Sequence, residues 1–226
     1  MGLFATLDGG KNWFRMKNKI PEYALVRDIK IHPRTHDLII ATHGRGILIV
    51  DDISPIRNLK KEAVEKDVVL FPNAPITLTM GQFGDGGFPS TGGWLAGNPP
   101  SIPPIKYYLK DRVNSGEVKV EIFDAAGKLV QSIPGSKRKG VNMVMWNLSM
   151  KPPKIASGGA KIDFAGFLAP MVLPGDYTIK LKVADSVYTS KVKLVHDPLD
   201  KNFTLEDRKK QNKAAMDLYQ LHERLA

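Results

Sequence analysis

The chain has 226 residues, with 33 lysines and arginines against 23 acidic residues and a net charge of +10. Its content, 42% hydrophobic and 25% charged, is that of an ordinary globular protein and excludes a disordered or fibrous chain. There is no cysteine, which excludes disulfides, thiolate metal sites and a cysteine nucleophile. No apolar run approaches the roughly 18–20 residues that cross a bilayer, so no membrane span is expected. The basic runs at 137–139 and 208–210 are not interleaved with aromatic residues, so no nucleic-acid partner is expected.

The first fifty residues are predicted to form short strands separated by turns. Asp8 and Gly9 are a strong turn signal after the first strand. Residues 26–31 alternate between apolar and polar, as a half-buried strand does. Residues 38–41 and 47–50 are apolar throughout and are predicted to be buried on both faces. Several short strands about ten residues apart indicate an all-β architecture.

The turn from Thr6 to Trp13 fits the pattern Ser/Thr-x-Asp-x-Gly-x-x-Trp. In such a turn Asp8 accepts backbone N–H groups, Gly10 provides a positive φ, and Trp13 packs against the neighbouring sheet. The segment resembles the Asp-box of neuraminidase-type repeats, found in sialidase-like and sortilin-like β-propellers between the third and fourth strands of a blade. This resemblance implies that Thr6, Asp8, Gly10 and Trp13 have structural roles.

The strands that follow, over 26–33 and 37–52, resemble the first three strands of the next blade. Residues 1–53 are therefore expected to be the last blade and a half of an incomplete Asp-box propeller, because closure needs about four to eight blades. The chain is expected to begin inside a blade, with Met1 an internal methionine. The missing upstream blades of a longer protein are its expected partners, and its open strand edges predict self-association.

A linker and a second β region are predicted next. Ser54 and Pro55 are typical of a helix start, so residues 54–66 are predicted to form one linker helix. Residues 67–198 show period-2 alternation between turns and predict an antiparallel β-sandwich with a long loop rich in glycine and proline at 81–104.

Two later features complete the predicted architecture. Trp146 lies in an alternating strand and is predicted to belong to the sandwich core. Residues 199–226 are predicted to be the start of a C-terminal helical segment, with Thr204 as its cap.

The sandwich resembles the immunoglobulin-like module of flagellar hook-capping proteins and many secreted bacterial proteins, over residues 118–130, 140–148 and 173–179. The whole chain is similar to the C-terminal part of large bacterial proteins of the repeat-containing glycosyl-hydrolase and sortilin-like group, over residues 41–57, 97–100, 107–109 and 195–198. The resemblance implies a mainly β fold of terminal propeller blades, an immunoglobulin-like β-sandwich and a C-terminal helix. It also implies a secreted, periplasmic or cell-envelope location.

One turn, Thr42 to Gly46, contains candidate ligand-binding residues. His43 could take or give a proton near neutral pH, and Arg45 could hold a carboxylate or sugar hydroxyls. The connection at 19–24 would bring Tyr23 to the same side. The alternative is a turn in which Arg45 bonds to backbone carbonyls of an adjacent blade. Trp94, in the 81–104 loop, could stack on a sugar or could fasten the loop.

No other group of residues in the sequence predicts a catalytic or metal site, and no catalytic residue is assigned. The five histidines lack metal-ligand spacing, so neither a metal nor another cofactor is expected. Asp51 and Asp52 occupy the place of the next Asp-box but lack its glycine and tryptophan, which favours a closing turn over a catalytic pair.

Three functions remain open from the sequence. The leading hypothesis is a non-catalytic structural and interaction region of a secreted or cell-envelope propeller protein, related to carbohydrate. The second is part of a glycoside hydrolase whose active site lies mainly in upstream blades. The third is capture of peptides or proteins by a sortilin-like propeller.

Overall fold

The computed structural model describes residues 2–17, 20–78, 104–154 and 169–225. These parts form a mainly β protein with a C-terminal helix, which confirms the predicted fold class at that level. The chain divides into two compact units, Met1–Val69 and Leu70–Ala226. Trp94 and nearly all of the predicted loop at 81–104 lie outside the described residues.

The first unit contains two small antiparallel sheets. β1 (Leu3–Ala5) pairs with β2 (Phe14–Met16), and the predicted Asp-box forms the turn between them. The second sheet has the strand order β3-β4-β5, with bounds Leu25–Ile31, Leu38–His43 and Ile47–Val50. A register shift between Val26 and Asp28 interrupts the pairing of β3 with β4.

The core of the first unit lies on one face of this second sheet. Leu38 and Ile40 of β4 are buried there with Leu3 of β1, and Ile53 closes the cluster. The prediction that 47–50 is buried on both faces is wrong, because Ile47 and Ile49 of β5 are 69% and 60% exposed. Leu48 and Val50 of β5 pack against the core cluster, and because side chains alternate along a strand, Ile47 and Ile49 project from the opposite face.

The predicted position of Trp13 is also wrong. Its side chain is 63% exposed, and its indole N–H donates to the carbonyl of Gly10 at 3.0 Å. The ring therefore belongs to the turn itself, and no sheet within the described residues of the first unit covers it.

The segment predicted as one linker helix forms two short helices, α1 (Ser54–Asn58) and α2 (Lys61–Val64). Ser54 does not cap α1 through its side chain; the backbone N–H of Ser54 instead donates to the Asp52 carboxylate at 3.0 Å. The backbone at Lys60 is extended, and this separates the two helices. The predicted blade, linker, sandwich and tail boundaries stay predictions.

Two further sheets make up the second unit, and β6, a strand of the smaller sheet, begins two residues before the boundary at Leu70. The larger has the strand order β10-β9-β12-β13-β7 and the smaller the order β11-β8-β6. Their bounds are Val68–Leu70 (β6), Ile76–Leu78 (β7), Ile105–Leu109 (β8), Val118–Phe123 (β9), Leu129–Pro134 (β10), Gly140–Val144 (β11), Gly175–Val183 (β12) and Ser186–His196 (β13).

One strand pair departs from the predicted antiparallel sandwich. β7 runs parallel to β13, with Ile76 opposite Leu194 and Leu78 opposite His196. The chain crosses from β6 in the smaller sheet to β7 in the larger one through a segment containing Pro72 and Pro75, which cannot donate to a ladder. After this crossing, β7 lies at the outer edge of β13 and runs in the same direction as β13.

Aromatic side chains fill the core of the second unit. Trp146 is 2% exposed, which confirms the prediction of its burial, and its ring meets that of Tyr177 edge-on at 5.5 Å. Its indole N–H donates to the carbonyl of Ser149 at 3.0 Å. Tyr107 is fully buried and donates to the carbonyl of Ser136 at 2.6 Å, and burial raises its pKa to about 12.

The C-terminal helix α3 (Leu205–Leu225) begins at the predicted cap. The hydroxyl of Thr204 accepts the N–H of Asp207 at 3.2 Å, and the Asp207 carboxylate accepts the N–H of Thr204 at 3.0 Å, which forms a reciprocal capping box. Polar contacts attach the helix to the sandwich: Arg208 donates to the carbonyl of Leu78 at 3.0 Å, and Asn212 donates to that of Met171 at 2.6 Å.

We predict opposite effects for two tryptophan substitutions. Trp146→Ala removes a fully packed ring and is expected to lower the free energy of unfolding by about 3–5 kcal/mol. Trp13→Ala removes an exposed ring and is expected to change it by less than about 1 kcal/mol. Urea denaturation followed by circular dichroism measures both, and a larger loss for Trp13→Ala than for Trp146→Ala would contradict the assigned core.

Candidate functional site

The turn between β1 and β2 is held by two short polar side chains. Asp8 accepts the backbone N–H of Asn12 at 2.9 Å and the Asn12 side-chain amide at 2.6 Å. Thr6 donates its hydroxyl to the Asp8 carboxylate at 2.8 Å and accepts the N–H of Gly10 at 2.9 Å. Gly10 has φ of +93°, a region that glycine enters without strain.

These bonds determine the ionisation of Asp8. The N–H of Asn12, followed by its side-chain amide and the Thr6 hydroxyl, lowers the pKa of Asp8 from 3.8 to about 2. A carboxylic acid with such a pKa is ionised at neutral pH and cannot serve there as a general acid. The arrangement makes Asp8 an organiser of the turn.

A second polar turn, which the sequence motifs did not indicate, joins β3 to β4. Thr35 donates to the Asp37 carboxylate, and its hydroxyl lies 2.8 Å from Nδ1 of His32. Asp37 also accepts the N–H of Asp52 at 2.9 Å. The Thr35 hydroxyl lowers the pKa of Asp37, with the Asp52 N–H adding to the effect. The signal in the sequence was the spacing of short polar residues typical of a hydrogen-bonded turn.

Asp51 and Asp52 have different surroundings. Asp52 has φ of +44°, its N–H bonds to Asp37, and its carboxylate accepts the N–H of Ser54. Asp51 follows directly after β5 and is exposed. Asp52 lies in the connection between β5 and α1, and its hydrogen bonds link this connection to Asp37 and to the first residue of α1.

The candidate ligand-binding residues Tyr23, His43 and Arg45 lie at one end of the β3-β4-β5 sheet. His43 pairs with Leu25 at the first position of β3, and Tyr23 precedes that position by two residues. Thr42 closes the adjoining turn, because its N–H and hydroxyl both donate to the carbonyl of Gly46, at 3.1 and 2.6 Å. Gly44 and Gly46, at φ of +74° and +72°, allow the turn to reverse in few residues.

All three side chains are presented to solvent. Tyr23 is 78% exposed, and His43 and Arg45 are exposed as well. Within the described parts of the chain, none of the three makes a side-chain hydrogen bond or ion pair. Nearby, Arg15 is paired with Glu22 at 3.2 Å and also donates to the Glu22 carbonyl, which fixes the connection that leads into β3.

A cleft of about 380 Å³ lies at one end of the larger sheet of the second unit, lined in part by Lys119 and Lys182. Their ammonium groups are paired: Lys182 lies 2.8 Å from the buried Glu121 carboxylate, and Lys119 lies 3.4 Å from Glu117. Both ammonium groups in this lining therefore have a carboxylate partner.

Metal sites and membrane-spanning helices are absent from the described residues. Among residues 2–17, 20–78, 104–154 and 169–225, no group of three or more histidine, aspartate or glutamate side chains is placed to hold a metal ion. Of the helices in those ranges, none has the length and apolar character needed to cross a lipid bilayer.

Comparisons with known proteins place this chain in no established family. No family model matches it, and no curated protein matches it. Among solved structures, the chain is similar to PorZ, an essential bacterial surface component of the type-IX secretion system of Porphyromonas gingivalis, with 16% identity and a TM-score of 0.24. The match covers 82% of this chain and 24% of the PorZ chain, so this chain spans about a quarter of that protein's length.

We predict that Asp8 titrates near pH 2 because of its hydrogen bonds and not because of nearby charge. The carboxyl carbon of Asp8, followed by NMR, is expected to show a midpoint of about 2. Since the folded pKa lies below the ordinary value of 3.8, the stabilisation by Asp8 is present above that pH and is lost as the pH falls toward 2.

Two variants separate the causes. Asn12→Ala removes one hydrogen-bond donor and is expected to raise the midpoint, whereas Lys11→Ala removes a neighbouring charge and is expected to leave it unchanged. A midpoint that responds to Lys11→Ala and not to Asn12→Ala would contradict the assigned cause.

Proposed function

We propose that this chain is a non-catalytic structural and interaction region of a secreted or cell-envelope Asp-box protein. On this proposal the first unit presents Tyr23, His43 and Arg45 to a ligand, and the second unit provides a stable support. The ligand class that suits these groups is a carboxylate-bearing or hydroxyl-rich one, such as an acidic sugar or the carboxylate of a peptide.

The observation that supports this proposal most is that some polar side chains of the first unit are hydrogen-bonded to its backbone, whereas others are exposed and make no hydrogen bond within the described residues. Asp8, Asp37 and Asp52 accept backbone N–H groups of turns or strand ends. The exposed side chains of Tyr23, His43 and Arg45 are instead available to an external molecule. Arginine and tyrosine suit recognition because one provides a planar set of donors and the other an amphipathic ring.

Hydrolysis of a glycoside would need two carboxyl groups about 5–10 Å apart, with one of them protonated at the working pH. Asp8, with its pKa lowered to about 2, does not suit the role of the acid. The proposed location follows from the resemblance of the sequence blocks to secreted bacterial proteins. Carbohydrate and peptide ligands are distinguished by the binding experiment below.

We predict that purified residues 1–226 do not turn over aryl glycosides. The prediction follows because the carboxylates of Asp8 and Asp52 accept backbone N–H groups of the connections in which they lie. Release of nitrophenol from a panel of nitrophenyl glycosides is the measurement. Turnover that is abolished by Asp8→Asn in a folded variant would show that the structural role given to this residue is incomplete.

Ligand binding is tested by NMR titration with glucuronic acid and, separately, with acetylated Ala-Ala. We expect amide shifts concentrated at residues 22–25 and 42–46 with at least one probe. Arg45→Ala is expected to reduce them, while Arg34→Ala, which removes an exposed arginine in the β3–β4 loop, leaves them unchanged. Shifts that are absent with both probes, or that respond equally to the two variants, would contradict this site.

A further inference from the structure

The outer edge of β5 has backbone groups that its own sheet does not use. Thr42 donates to the carbonyl of Gly46, and the same register places Ile40 opposite Leu48 and Leu38 opposite Val50. In an antiparallel ladder, bonded pairs alternate along the strand, so Leu48 and Val50 bond to β4. The N–H and C=O groups of Ile47 and Ile49 therefore point away from β4, toward the free edge.

This edge also has exposed apolar side chains. Ile47 is 69% exposed and Ile49 is 60% exposed, and both lie on the face opposite the core cluster. Within the described residues, neither makes a backbone hydrogen bond outside the sheet. An edge of this kind, with free donors and acceptors beside apolar side chains, is a template for pairing with another strand.

The residues that flank the edge have opposite charges. Arg45 lies in the turn before β5, and Asp51 follows the last residue of β5. If two copies of β5 pair antiparallel about Leu48, Ile47 of each copy faces Ile49 of the other. The same register places the turn that contains Arg45 in each copy beside the end of β5 that precedes Asp51 in the other. An antiparallel pairing centred on Ile47 or on Ile49 would place an isoleucine opposite a charged residue. The pairing centred on Leu48 avoids this, so it is favoured by both its apolar and its charged contacts.

We propose that β5 pairs with β5 of a second copy of this chain in that register. The two β3-β4-β5 sheets then form one continuous sheet, in which Ile47 and Ile49 exchange both backbone N–H and C=O groups across the two-fold axis. The flanking ion pairs select the antiparallel register about Leu48. This inference is independent of the proposed ligand, although a ligand held by Arg45 would compete with the second copy for that side chain.

The test uses charge reversal and sedimentation equilibrium of the purified chain over a range of concentrations. Arg45→Asp alone places two carboxylates together, the new one and Asp51 of the other copy, and Asp51→Arg alone places two guanidinium groups together. Each variant is expected to weaken self-association by about tenfold or more, since like charges at paired positions are destabilising. A mixture of the two variants at equal concentration restores opposite charges at both contacts and is expected to form a mixed dimer.

Lys30→Asp is the matched control, because it makes the same change of charge on β3, at the other edge of the sheet. It is expected to leave self-association unchanged. Ile49→Pro removes an N–H that points away from β4 and is expected to abolish the dimer while circular dichroism remains that of the parent.

The proposal fails if the parent chain is monomeric at every concentration. It fails equally if Lys30→Asp weakens association as much as Arg45→Asp, or if the mixture associates no better than either variant alone. A dimer that behaves as expected while neither glucuronic acid nor the dipeptide binds would support this inference and contradict the proposed ligand site.

Discussion

Coverage of the β3-β4-β5 sheet is the constraint on which the rest of the first unit depends. Three short strands bury little surface, and among the described residues the core cluster covers one face of this sheet, where Leu38 and Ile40 meet Leu3 from the β1-β2 sheet. On the opposite face, the side chains of Ile47 and Ile49 in the edge strand β5 are largely exposed. An open edge of this kind makes the first unit suited to association and costs it internal stability.

Polar side chains compensate for the small core by fixing the turns. The Thr6–Asp8 network ties down the connection of β1 to β2, while Thr35 and Asp37 hold the connection of β3 to β4. Hydrogen bonds to the ionised carboxylates lower both pKa values: the Asn12 N–H has the largest effect on the pKa of Asp8, and the Thr35 hydroxyl has the largest effect on the pKa of Asp37. The side chains that hold the turns are engaged in hydrogen bonds, whereas those of Tyr23, His43 and Arg45 make none within the described residues. This difference underlies the proposed interaction role.

The sequence predicted local structure better than it predicted burial. Alternation and turn residues placed the strands, and the motif at Thr6 to Asp8 gave the turn network that the structure contains. The prediction that β5 and Trp13 are buried was wrong. Burial depends on which other parts of the chain pack against a residue, and the residues of a strand or turn do not encode that packing. The prediction of a single linker helix was wrong because residue propensities do not indicate the extended backbone at Lys60. The parallel pairing of β7 could not be predicted from its own residues, because it depends on β13, a strand far away in the sequence.

For the candidate site, the sequence could name Tyr23, His43 and Arg45 as candidates. It could not show that they lie at the same end of a sheet, because that follows from the pairing of His43 with Leu25.

Amide hydrogen exchange along β5 distinguishes an open strand edge from a covered one. In dilute solution, the amides of Leu48 and Val50, which bond to β4, are expected to exchange slowly, and those of Ile47 and Ile49 to exchange fast. At high protein concentration the outward amides of Ile47 and Ile49 are expected to become protected as the second copy pairs with the edge. If Ile47 and Ile49 are already as slow as Leu48 in dilute solution, the edge is covered within the single chain, and an open, self-complementary β5 is contradicted.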